Sequence, residues 1–418
     1  MIVKPFRGLR PREDLASRIP SYPYDVLTSE EARRLADGDP HTFLHVVKPE
    51  IDLDPEIDPY DERVYATGAR NLARMIDDGW LVRDEVPSYY VYRLTLDGRS
   101  QTGLVGAAAI SDYGEGRIKR HEHTRPEKEK DRARLNDAIG AHPGLVFLAY
   151  HGLPELNALV AGVVARDPHS RFTAPDEIDH EVWAVADPAV VAKIEALFRH
   201  IRAAYVADGH HRAAAAARVA AERLARMGPD APDSAPVRYF PAAFFPADQL
   251  RILEYNRVVR DLNGLDPEAL LDRIRDAGFH VKTGNRAKRP ATPETFGMYL
   301  NGAWYLLAPQ AHLVPREDAV GRLDVQILTD RVLQPILGVG DLRTDRRIDF
   351  VGGIRGVAEL ERLVDSGTHA VAFALHPMRM EDVLAVADAG LVLPPKSTWF
   401  EPKLRSGVVV QSLDGDSL

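Results

Sequence analysis

The chain has 418 residues, which predicts two or three domains, because a single hydrophobic core rarely grows to that size. The formal net charge of −9 and the pI near 5.9 argue against a general nucleic-acid coat. The absence of cysteine excludes disulfides, thiolate nucleophiles, iron–sulfur clusters and zinc–cysteine sites. The opening MIVKPFRGLRP lacks the apolar run of a signal peptide, and no stretch approaches the roughly 18–20 apolar residues of a membrane span, so we expect a cytoplasmic protein.

The N-terminal half is predicted to contain two helices followed by a meander. The first helix begins at a capping box, in which Thr28 and Glu31 satisfy each other's backbone amides, and Pro40 is expected to stop it. A longer helix has apolar residues spaced along one face from Ala66 to Ile76. The strands SYYVYRLTL, TGLVGAAAI and RIKRHEHT then predict an antiparallel meander.

From Glu181 onward, predicted strands and helices alternate as EVWAVAD, PAVVAKIEALFRHI, AAYVADG and HHRAAAAARVAAERLARM. This alternation is typical of an α/β layer, and we expect an α/β fold with mixed sheets. The composition shifts near Leu262, where we place a domain boundary. Residues 1–262 are then a first α/β region, and residues 263–418 are a C-terminal α/β region that carries the segment PPKSTWFEPKL.

The strand that ends at Asp208 runs directly into an alanine-rich helix through Gly209, His210, His211 and Arg212. The first amides of a helix lack internal partners and carry partial positive charge, so they accept a phosphate. Gly209 permits close approach of the backbone, while the histidines and Arg212 add donors. Asp208 beside the anion would bind Mg²⁺ or take a proton from an attacking hydroxyl. The alternative is that Asp208 caps the helix while the other side chains face solvent.

A second polar cluster occupies RIKRHEHTRPEKEKDR. On the predicted strand, His121 and His123 share one face, while Glu122 and Thr124 share the other. Two histidines at this spacing can bind a metal, but a third ligand is not evident. The alternative is a charged, salt-bridged helix start that includes Lys128.

Other candidate residues lie in turns and at strand ends. The segment PPKSTWFEPKL places Lys396 and Lys403 on a rigid loop that closes over phosphates or forms an ordinary surface turn. Arg7 and Asp25 lie in the turns PFRG and YPYDV, and Asn256 lies in EYNRVV, where polar caps are the alternative. Neither a Walker A motif nor a dinucleotide fingerprint occurs in its proper context.

Six motifs in this order resemble a bacterial and archaeal family catalogued as domain of unknown function 1015. They are KPFRGLRP, YPYDV, HEHTRPEKEKDR, ADGHHR, FFPADQLRILEYNRVV and PPKSTWFEPKLRSG. The segment DGHHR is also similar to the phosphate-binding signature of a superfamily that includes ParB partition nucleotidases, sulfiredoxins and free serine kinases. That resemblance implies a ParB/sulfiredoxin-like core with an additional N-terminal meander and a C-terminal α/β domain.

The resemblance to the free serine kinases implies a phosphotransferase that uses ATP, ADP or pyrophosphate with Mg²⁺. Its acceptor would be a small hydroxylated metabolite, with free L-serine as the leading candidate. By this analogy Asp208 would be the base or a metal-side carboxylate, and residues 209–212 would hold the donor phosphates. On the opposite wall, Glu122 would hold the acceptor amine or assist deprotonation. The remaining members of that wall would be His121, Thr124 and Lys128, and second-tier candidates would be Asn256, Lys396 and Lys403.

Two other classes of function stay open at this point. A nucleotide-dependent, ParB-like DNA-binding or regulatory protein would need a helix-turn-helix and a basic face, for which KTGNRAKRP is the only compact candidate. A metal-dependent phosphohydrolase would use His121 and His123. In the leading interpretation the partners are a phosphate donor and a small acceptor, with neither a membrane nor a nucleic acid.

Overall fold

The computed structural model describes residues 1–284, 288–415 and 418, and it divides into two compact units. The first unit comprises Met1–Leu250 and Pro402–Leu418, and the second comprises Arg251–Glu401. The chain therefore changes unit at Arg251 instead of near Leu262, and its last segment belongs to the first unit instead of the second. The basic loop KTGNRAKRP includes residues 285–287, which lie outside the described residues.

The first unit holds the longer run of elements along the chain. Its strands up to Leu250 are β1 (Val3–Lys4), β2 (Leu9–Pro11), β3 (Leu81–Arg83), β4 (Tyr89–Leu96), β5 (Arg99–Ala109), β6 (Ile118–Lys119), β7 (Ala141–His142), β8 (Val146–Tyr150), β9 (Ser170–Thr173), β10 (Asp179–Val185), β11 (Ala204–Asp208) and β12 (Tyr239–Pro246). Its helices are α1 (Ser29–Ala36), α2 (Leu44–Val47), α3 (Glu62–Asp77), α4 (Ile110–Gly114), α5 (Pro126–Ile139), α6 (Pro154–Val164), α7 (Pro188–Phe198) and α8 (His210–Met227).

The second unit is built from shorter segments. Its strands are β13 (Ile252–Leu253), β14 (Tyr255–Val259), β15 (Phe279–Thr283), β16 (Phe296–Leu300), β17 (Ala303–Pro309), β18 (Ile348–Gly352), β19 (Val371–Leu375) and β20 (Trp399–Phe400). Its helices are α9 (Pro267–Asp276), α10 (Asp324–Leu328), α11 (Gly356–Asp365) and α12 (Met380–Asp388). The last strand of the chain, β21 (Gln411–Ser412), pairs with β7 in the first unit.

A mixed sheet organises the first unit. The strand order is β6-β11-β8-β12-β5-β4-β10-β9, and β1 pairs with β5. The pairs β6/β11 and β8/β12 are parallel, whereas the other neighbours in the sheet are antiparallel. Apolar side chains from adjacent strands, such as Leu148, Val206 and Phe244, are fully buried between the sheet and its helices. The predicted α/β class with mixed sheets is therefore confirmed.

The predicted meander is wrong at its third strand. β4 and β5 pair antiparallel as expected, but only Ile118–Lys119 of RIKRHEHT is a strand, and it pairs in parallel with β11. The edge of β5 that a third strand would need is taken by β12 and β1. Because the strand ends at Lys119, the predicted alternation does not apply beyond it, and His121 is buried while His123 is exposed.

Helix α8 lies against the sheet through its alanines. Ala213 and Ala216 belong to the central core, whereas Ala215 and Val219 pack with Ala133 of α5. Alanine combines the highest helix propensity with a small side chain, so a helix rich in it forms readily and approaches its neighbours closely. This packing fixes the start of α8 at the end of β11.

The other predicted helices of the first unit are present with small differences at their ends. The capping box of Thr28 and Glu31 starts α1, which ends at Ala36, before Pro40. The amphipathic helix predicted around Ala66–Ile76 is α3. Within the described residues, none of the helices combines the length and the hydropathy that crossing a membrane requires.

The second unit contains a six-stranded antiparallel sheet with the order β15-β17-β16-β19-β14-β18. Helix α11 covers part of it, with Leu360 buried against Val258 and Ala372 of the central strands. The segments LDPEALLDRIRDAGF, GVAELERLVD and MEDVLAVADAG contain α9, α11 and α12.

Candidate functional site

The turn between β11 and α8 leaves the start of the helix without a side-chain cap. Gly209 occupies the N-cap position with φ 92° and ψ 30°, a left-handed conformation that glycine adopts without strain. Within the described part of the chain, no side chain caps α8, and the first helical hydrogen bond runs from the Ala213 amide to the Gly209 carbonyl. The alternative in which Asp208 caps this helix is therefore wrong, and the first-turn amides keep the positive end of the helix dipole.

Asp208 forms an ion pair with a residue from the end of the chain. Its Oδ1 accepts from Nζ of Lys403 at 2.9 Å, and its Oδ2 lies 3.7 Å from Nη2 of Arg212. Burial alone raises the pKa of Asp208, but the charges of Lys403 and Arg212 outweigh it and lower the pKa to about 2. Asp208 is thus a fixed carboxylate between two cations, and the predicted candidates Asp208, Arg212 and Lys403 come together.

Arg212 points its guanidinium into the body of the first unit. Its Nη1 donates to the Leu145 carbonyl at 2.7 Å, and its Nη2 lies 3.6 Å from Oδ1 of Asp25. The Nη2 atom is buried and has no hydrogen-bond partner among the described residues. Burial alone would lower the pKa of Arg212, but the negative charges of Asp25 and Asp208 outweigh this effect. The pKa of Arg212 is therefore raised above its usual value, and the side chain keeps its charge.

A small cavity of about 30 Å³ lies beside this guanidinium. Its polar lining consists of Tyr24, Arg132, Asn136, His142, Arg212 and Ser406. Neither Tyr24 nor Arg132 was among the predicted site residues, although both belong to quoted motifs, YPYDV and HEHTRPEKEKDR. The Arg132 guanidinium lies over the Tyr24 ring, 4.3 Å from its centre. The sequence signal that could have indicated Tyr24 as a site residue is its position directly before the candidate Asp25.

His121 and His210 form a buried pair next to the turn. Their ring centres are 4.6 Å apart in an edge-to-face arrangement, and Nδ1 of His210 lies 3.8 Å from Oε2 of Glu122. Burial lowers the pKa of His121 to about 4 despite the charge of Asp208, and burial together with His121 lowers the pKa of His210 well below its usual value. Both rings are neutral near pH 7, so the contact of His210 with Glu122 is polar and not ionic.

These neutral rings carry buried nitrogen atoms without partners. Within the described residues, neither ring nitrogen of His121 and not Nε2 of His210 has a hydrogen-bond partner. Buried polar atoms are nearly always paired, so three such atoms beside an uncapped helix start need an explanation. A ligand with several polar oxygens would provide the missing partners.

The remaining residues of the second cluster support the start of α5. The Nε2 atom of His211 accepts from the Arg125 amide at 3.0 Å. The Thr124 hydroxyl donates to Oε2 of Glu129 at 3.1 Å, and Nζ of Lys128 lies 5.6 Å from the centre of the Tyr60 ring. Thr124 therefore makes a local contact of the kind expected for a charged helix start, whereas Lys128 lies over the ring of a residue from another segment, and His211 joins the two motifs.

The other candidate residues do not belong to this cluster in the first unit. Arg7 is exposed, and no contact in the described residues joins it to the turn. Asn256 and Lys396 belong to the second unit. There, Oδ1 of Asn256 accepts from the Leu375 amide at 3.0 Å, and Nζ of Lys396 lies 5.7 Å from the centre of the Tyr255 ring.

Two carboxylates lie near the turn, Asp208 and Glu122. The described residues contain no group of three or more His, Asp or Glu side chains suited to a metal ion, so His121 and His123 gain no third ligand. Mg²⁺ prefers oxygen ligands and is often held by one or two carboxylates together with substrate phosphates. Asp208 is already paired with Lys403 and Arg212, and Glu122 lies beside His210.

The fold and the site together define a mixed α/β protein with an uncapped strand-to-helix turn suited to an anion. The chain belongs to the family described as "Protein of unknown function (DUF1015)", which matches residues 3–326. This match confirms the family resemblance, and five of the six motifs lie within the matched residues, whereas PPKSTWFEPKLRSG follows them in the chain. No curated protein matches the chain.

Several solved structures share part of the arrangement of elements. A free serine kinase variant in complex with AMP has a TM-score of 0.35 and 12% identity, over 76% of this chain and 90% of that chain. SbnI from Staphylococcus aureus, truncated at its C-terminus, has a TM-score of 0.37 and 11% identity, over 72% and 85%. A conserved hypothetical protein from Pyrococcus furiosus has a TM-score of 0.33 and 13% identity, over 72% and 92%. Because these likenesses are distant, we base the proposed function on the geometry of this chain.

Proposed function

We propose that the first unit is a phosphotransferase, which binds a phosphate donor at the start of α8 and moves a phosphoryl group to a small hydroxylated metabolite. The observation that carries this proposal is the uncapped helix start at Gly209 next to a buried Arg212 nitrogen that has no hydrogen-bond partner among the described residues. This nitrogen lies 3.6 Å from Asp25 and 3.7 Å from Asp208, beyond hydrogen-bond distance, and a phosphate oxygen would accept the hydrogen bond that neither carboxylate accepts. Backbone amides and a guanidinium are also the usual pair of phosphate ligands.

The donor side of the site suits the terminal phosphate of ATP, ADP or pyrophosphate. The first amides of α8 and Arg212 would hold its oxygens, and Lys403 lies on the other side of Asp208. Phosphoryl transfer depends mainly on positioning and on neutralising the charge of the transferred group. A Mg²⁺ ion bound with the donor would neutralise further phosphate charge.

Asp208 is better suited to holding charge than to taking a proton. With a pKa of about 2, it has little affinity for a proton near neutral pH, so it is a weak general base. Its fixed position between Lys403 and Arg212 instead supports an electrostatic and positioning role. Glu122 is half exposed and lies near His210, so we assign it the acceptor side, where it would hold an amine or assist deprotonation of a hydroxyl.

Free L-serine is the leading acceptor, and this assignment comes from the resemblance of DGHHR to the serine kinase signature. Serine offers a hydroxyl for transfer and an ammonium for Glu122. The neutral His121 ring, whose two nitrogens lack partners in the described residues, supplies one donor and one acceptor for the substrate.

Phosphorus NMR tests this proposal directly. The full chain is incubated with Mg²⁺, L-serine and each donor in turn, and we expect a new phosphomonoester signal. Asp208→Asn should slow its appearance by at least about 100-fold, because the fixed charge is lost. Glu222→Gln changes an exposed carboxylate of α8 that pairs with Arg218, and it should leave the rate unchanged.

Two results would contradict the proposal. One is release of inorganic phosphate without a phosphomonoester, which would indicate hydrolysis. The other is an Asp208→Asn variant that forms product as fast as the unaltered chain. Circular dichroism of both variants would establish that the compared proteins are folded.

A further inference from the structure

The second unit contains a cavity of about 110 Å³ whose walls carry charges of both signs. It lies where the segment before α10, the segment before α12 and the end of β19 meet. Its charged and titratable lining includes Glu294, Arg316, Arg322, Asp324, His376 and Arg379. None of the motifs assigned to phosphoryl transfer supplies these residues.

Most of the charges in this cavity are already paired. Asp382 accepts from two arginines, from Nη2 of Arg322 at 2.8 Å and from Nε of Arg379 at 2.9 Å. Glu294 binds Arg316 through two hydrogen bonds of 2.6 and 2.8 Å. These carboxylates fix the three guanidiniums in place, and they leave the three positive charges opposed by two negative ones.

Two side chains that line the cavity, Arg322 and Asp324, can still form a hydrogen bond or an ion pair with a ligand. Nε of Arg322 is buried and has no hydrogen-bond partner among the described residues. The Oδ1 atom of Asp324 accepts from the Glu294 amide at 2.8 Å, and no ion pair of Asp324 occurs in the part of the chain that the structure describes. Burial raises the pKa of Asp324 to about 7, so an arriving cation would readily convert this carboxyl to its charged form.

We propose that this cavity binds a small free α-amino acid, with its carboxylate on Arg322 and its ammonium on Asp324. A ligand with two carboxylates is disfavoured, because one of them would be repelled by Asp324 and Glu294. A diamine is disfavoured as well, because one ammonium would be repelled by the fixed guanidiniums. A zwitterion meets both walls with the opposite charge, which is the arrangement that charge-assisted hydrogen bonds favour.

The neighbouring polar groups and the size of the cavity narrow the ligand further. Nδ1 of His376 donates to the Pro377 carbonyl at 2.8 Å, so Nε2 of a neutral ring is an acceptor. The Ser397 hydroxyl donates to the Pro394 carbonyl at 2.6 Å and keeps its lone pairs for an incoming donor. A cavity of 110 Å³ is smaller than the roughly 150 Å³ that holds benzene, which favours glycine, alanine or serine.

Calorimetry on the full chain, without a phosphate donor, tests this inference. We expect glycine, L-alanine or L-serine to bind, whereas propionate and ethylamine, which carry one charge each, should bind at least about tenfold more weakly. Asp324→Asn keeps the acceptor for the Glu294 amide but removes the charge, and Arg322→Lys keeps a cation but removes Nε. Each variant should raise the Kd at least about tenfold. Asp330→Asn, an exposed carboxylate just after α10, is the matched control and should leave the Kd unchanged.

The assay also separates this cavity from the proposed transferase site. An Asp208→Asn variant that loses amino-acid binding, while Asp324→Asn keeps it, would put the ligand in the first unit and overturn the inference. Absence of binding by all three amino acids would overturn it as well. Because binding is measured without a donor, either result is independent of whether phosphoryl transfer occurs. Thermal melting of each variant shows that the proteins compared are folded.

Discussion

Nζ of Lys403 lies 2.9 Å from Oδ1 of Asp208, although the two residues are 195 positions apart in the chain. Both side chains are largely buried, with relative exposures of 16% and 22%. The contact links the C-terminal segment to the turn between β11 and α8. It also keeps Asp208 ionised next to Arg212, which is the arrangement on which the proposed transferase depends.

A double-mutant cycle on this pair should reveal strong coupling. Asp208→Asn and Lys403→Met each remove one charge of a largely buried ion pair, so we expect a coupling free energy of about 1–3 kcal/mol in unfolding. The control is Lys4 with Glu195 in the same unit, at 2.6 Å and with exposures of 36% and 26%, where the coupling should stay below about 1 kcal/mol. Urea unfolding of the four proteins in each cycle supplies the values, and equal coupling in both pairs would contradict the prediction.

Arg212→Lys should weaken the binding of pyrophosphate by at least about tenfold. Lysine keeps the charge, but it cannot reach the Leu145 carbonyl and a phosphate at the same time, whereas the fork of Arg212 has a nitrogen for each. Titration followed by phosphorus NMR gives the affinity. Arg218→Lys, on the exposed side of the same helix where Arg218 pairs with Glu222, is the control and should bind normally. Equal affinities of the two variants would argue against phosphate binding by Arg212.

Gly209→Ala should reduce both stability and pyrophosphate binding. With φ 92°, an alanine at this position is strained, and its Cβ would be in van der Waals contact with Cδ of Arg212 at 3.5 Å and with Cα of Val146 at 3.6 Å, next to the guanidinium proposed to bind phosphate. Gly228→Ala at the other end of α8 has φ 83° and no atom within 4 Å of the added Cβ. We expect both variants to lose about 1–3 kcal/mol of stability, because both adopt an unfavourable backbone conformation. Only Gly209→Ala should lose binding, and a similar loss in Gly228→Ala would show that the effect is general.

The local part of the candidate site could be predicted from the sequence. A strand, a glycine and an alanine-rich helix in direct succession specify their own conformations, so the turn from Asp208 to Arg212 has the predicted form. The contact with Lys403 could not be assigned to Asp208, because no local pattern encodes a pairing between residues 195 positions apart. The sequence predicted His210 only as a hydrogen-bond donor to a phosphate. Its burial against His121 results from the packing of two segments that are distant in the chain.

The second unit shows the same limit more strongly. Its cavity contains Arg322 and Asp324, and it also takes residues from segments around Glu294 and Arg379. None of these segments has a recognisable motif, since each contributes only one or two charged residues. The domain boundary was also misplaced, because the shift in composition near Leu262 falls after β14 has already joined the sheet of the second unit.

Acidification should destabilise the first unit through its buried histidines. Burial lowers the pKa of His180 and of His142 to about 3, and that of His121 to about 4. The unfolded chain takes up protons on these residues near pH 6.5, whereas the folded chain does so only near pH 3–4, so stability falls as the pH decreases through that window. From about pH 7 to about pH 5, each such histidine should cost about 2 kcal/mol of unfolding free energy.

His180→Phe provides the test of this pH dependence. His180 stacks on Phe172 with ring centres 4.7 Å apart, and its Nδ1 is hydrogen-bonded to the Tyr92 hydroxyl at 2.7 Å. The variant keeps the stacking and removes one titrating group, so its loss of stability between about pH 7 and about pH 5 should be smaller by about 2 kcal/mol. Phe172→Leu disturbs the same packing without removing a titrating group and should keep the full pH dependence. Urea unfolding of both variants at each pH gives the values. If His180→Phe and Phe172→Leu lose the same unfolding free energy between about pH 7 and about pH 5, His180 is not a source of the acid sensitivity.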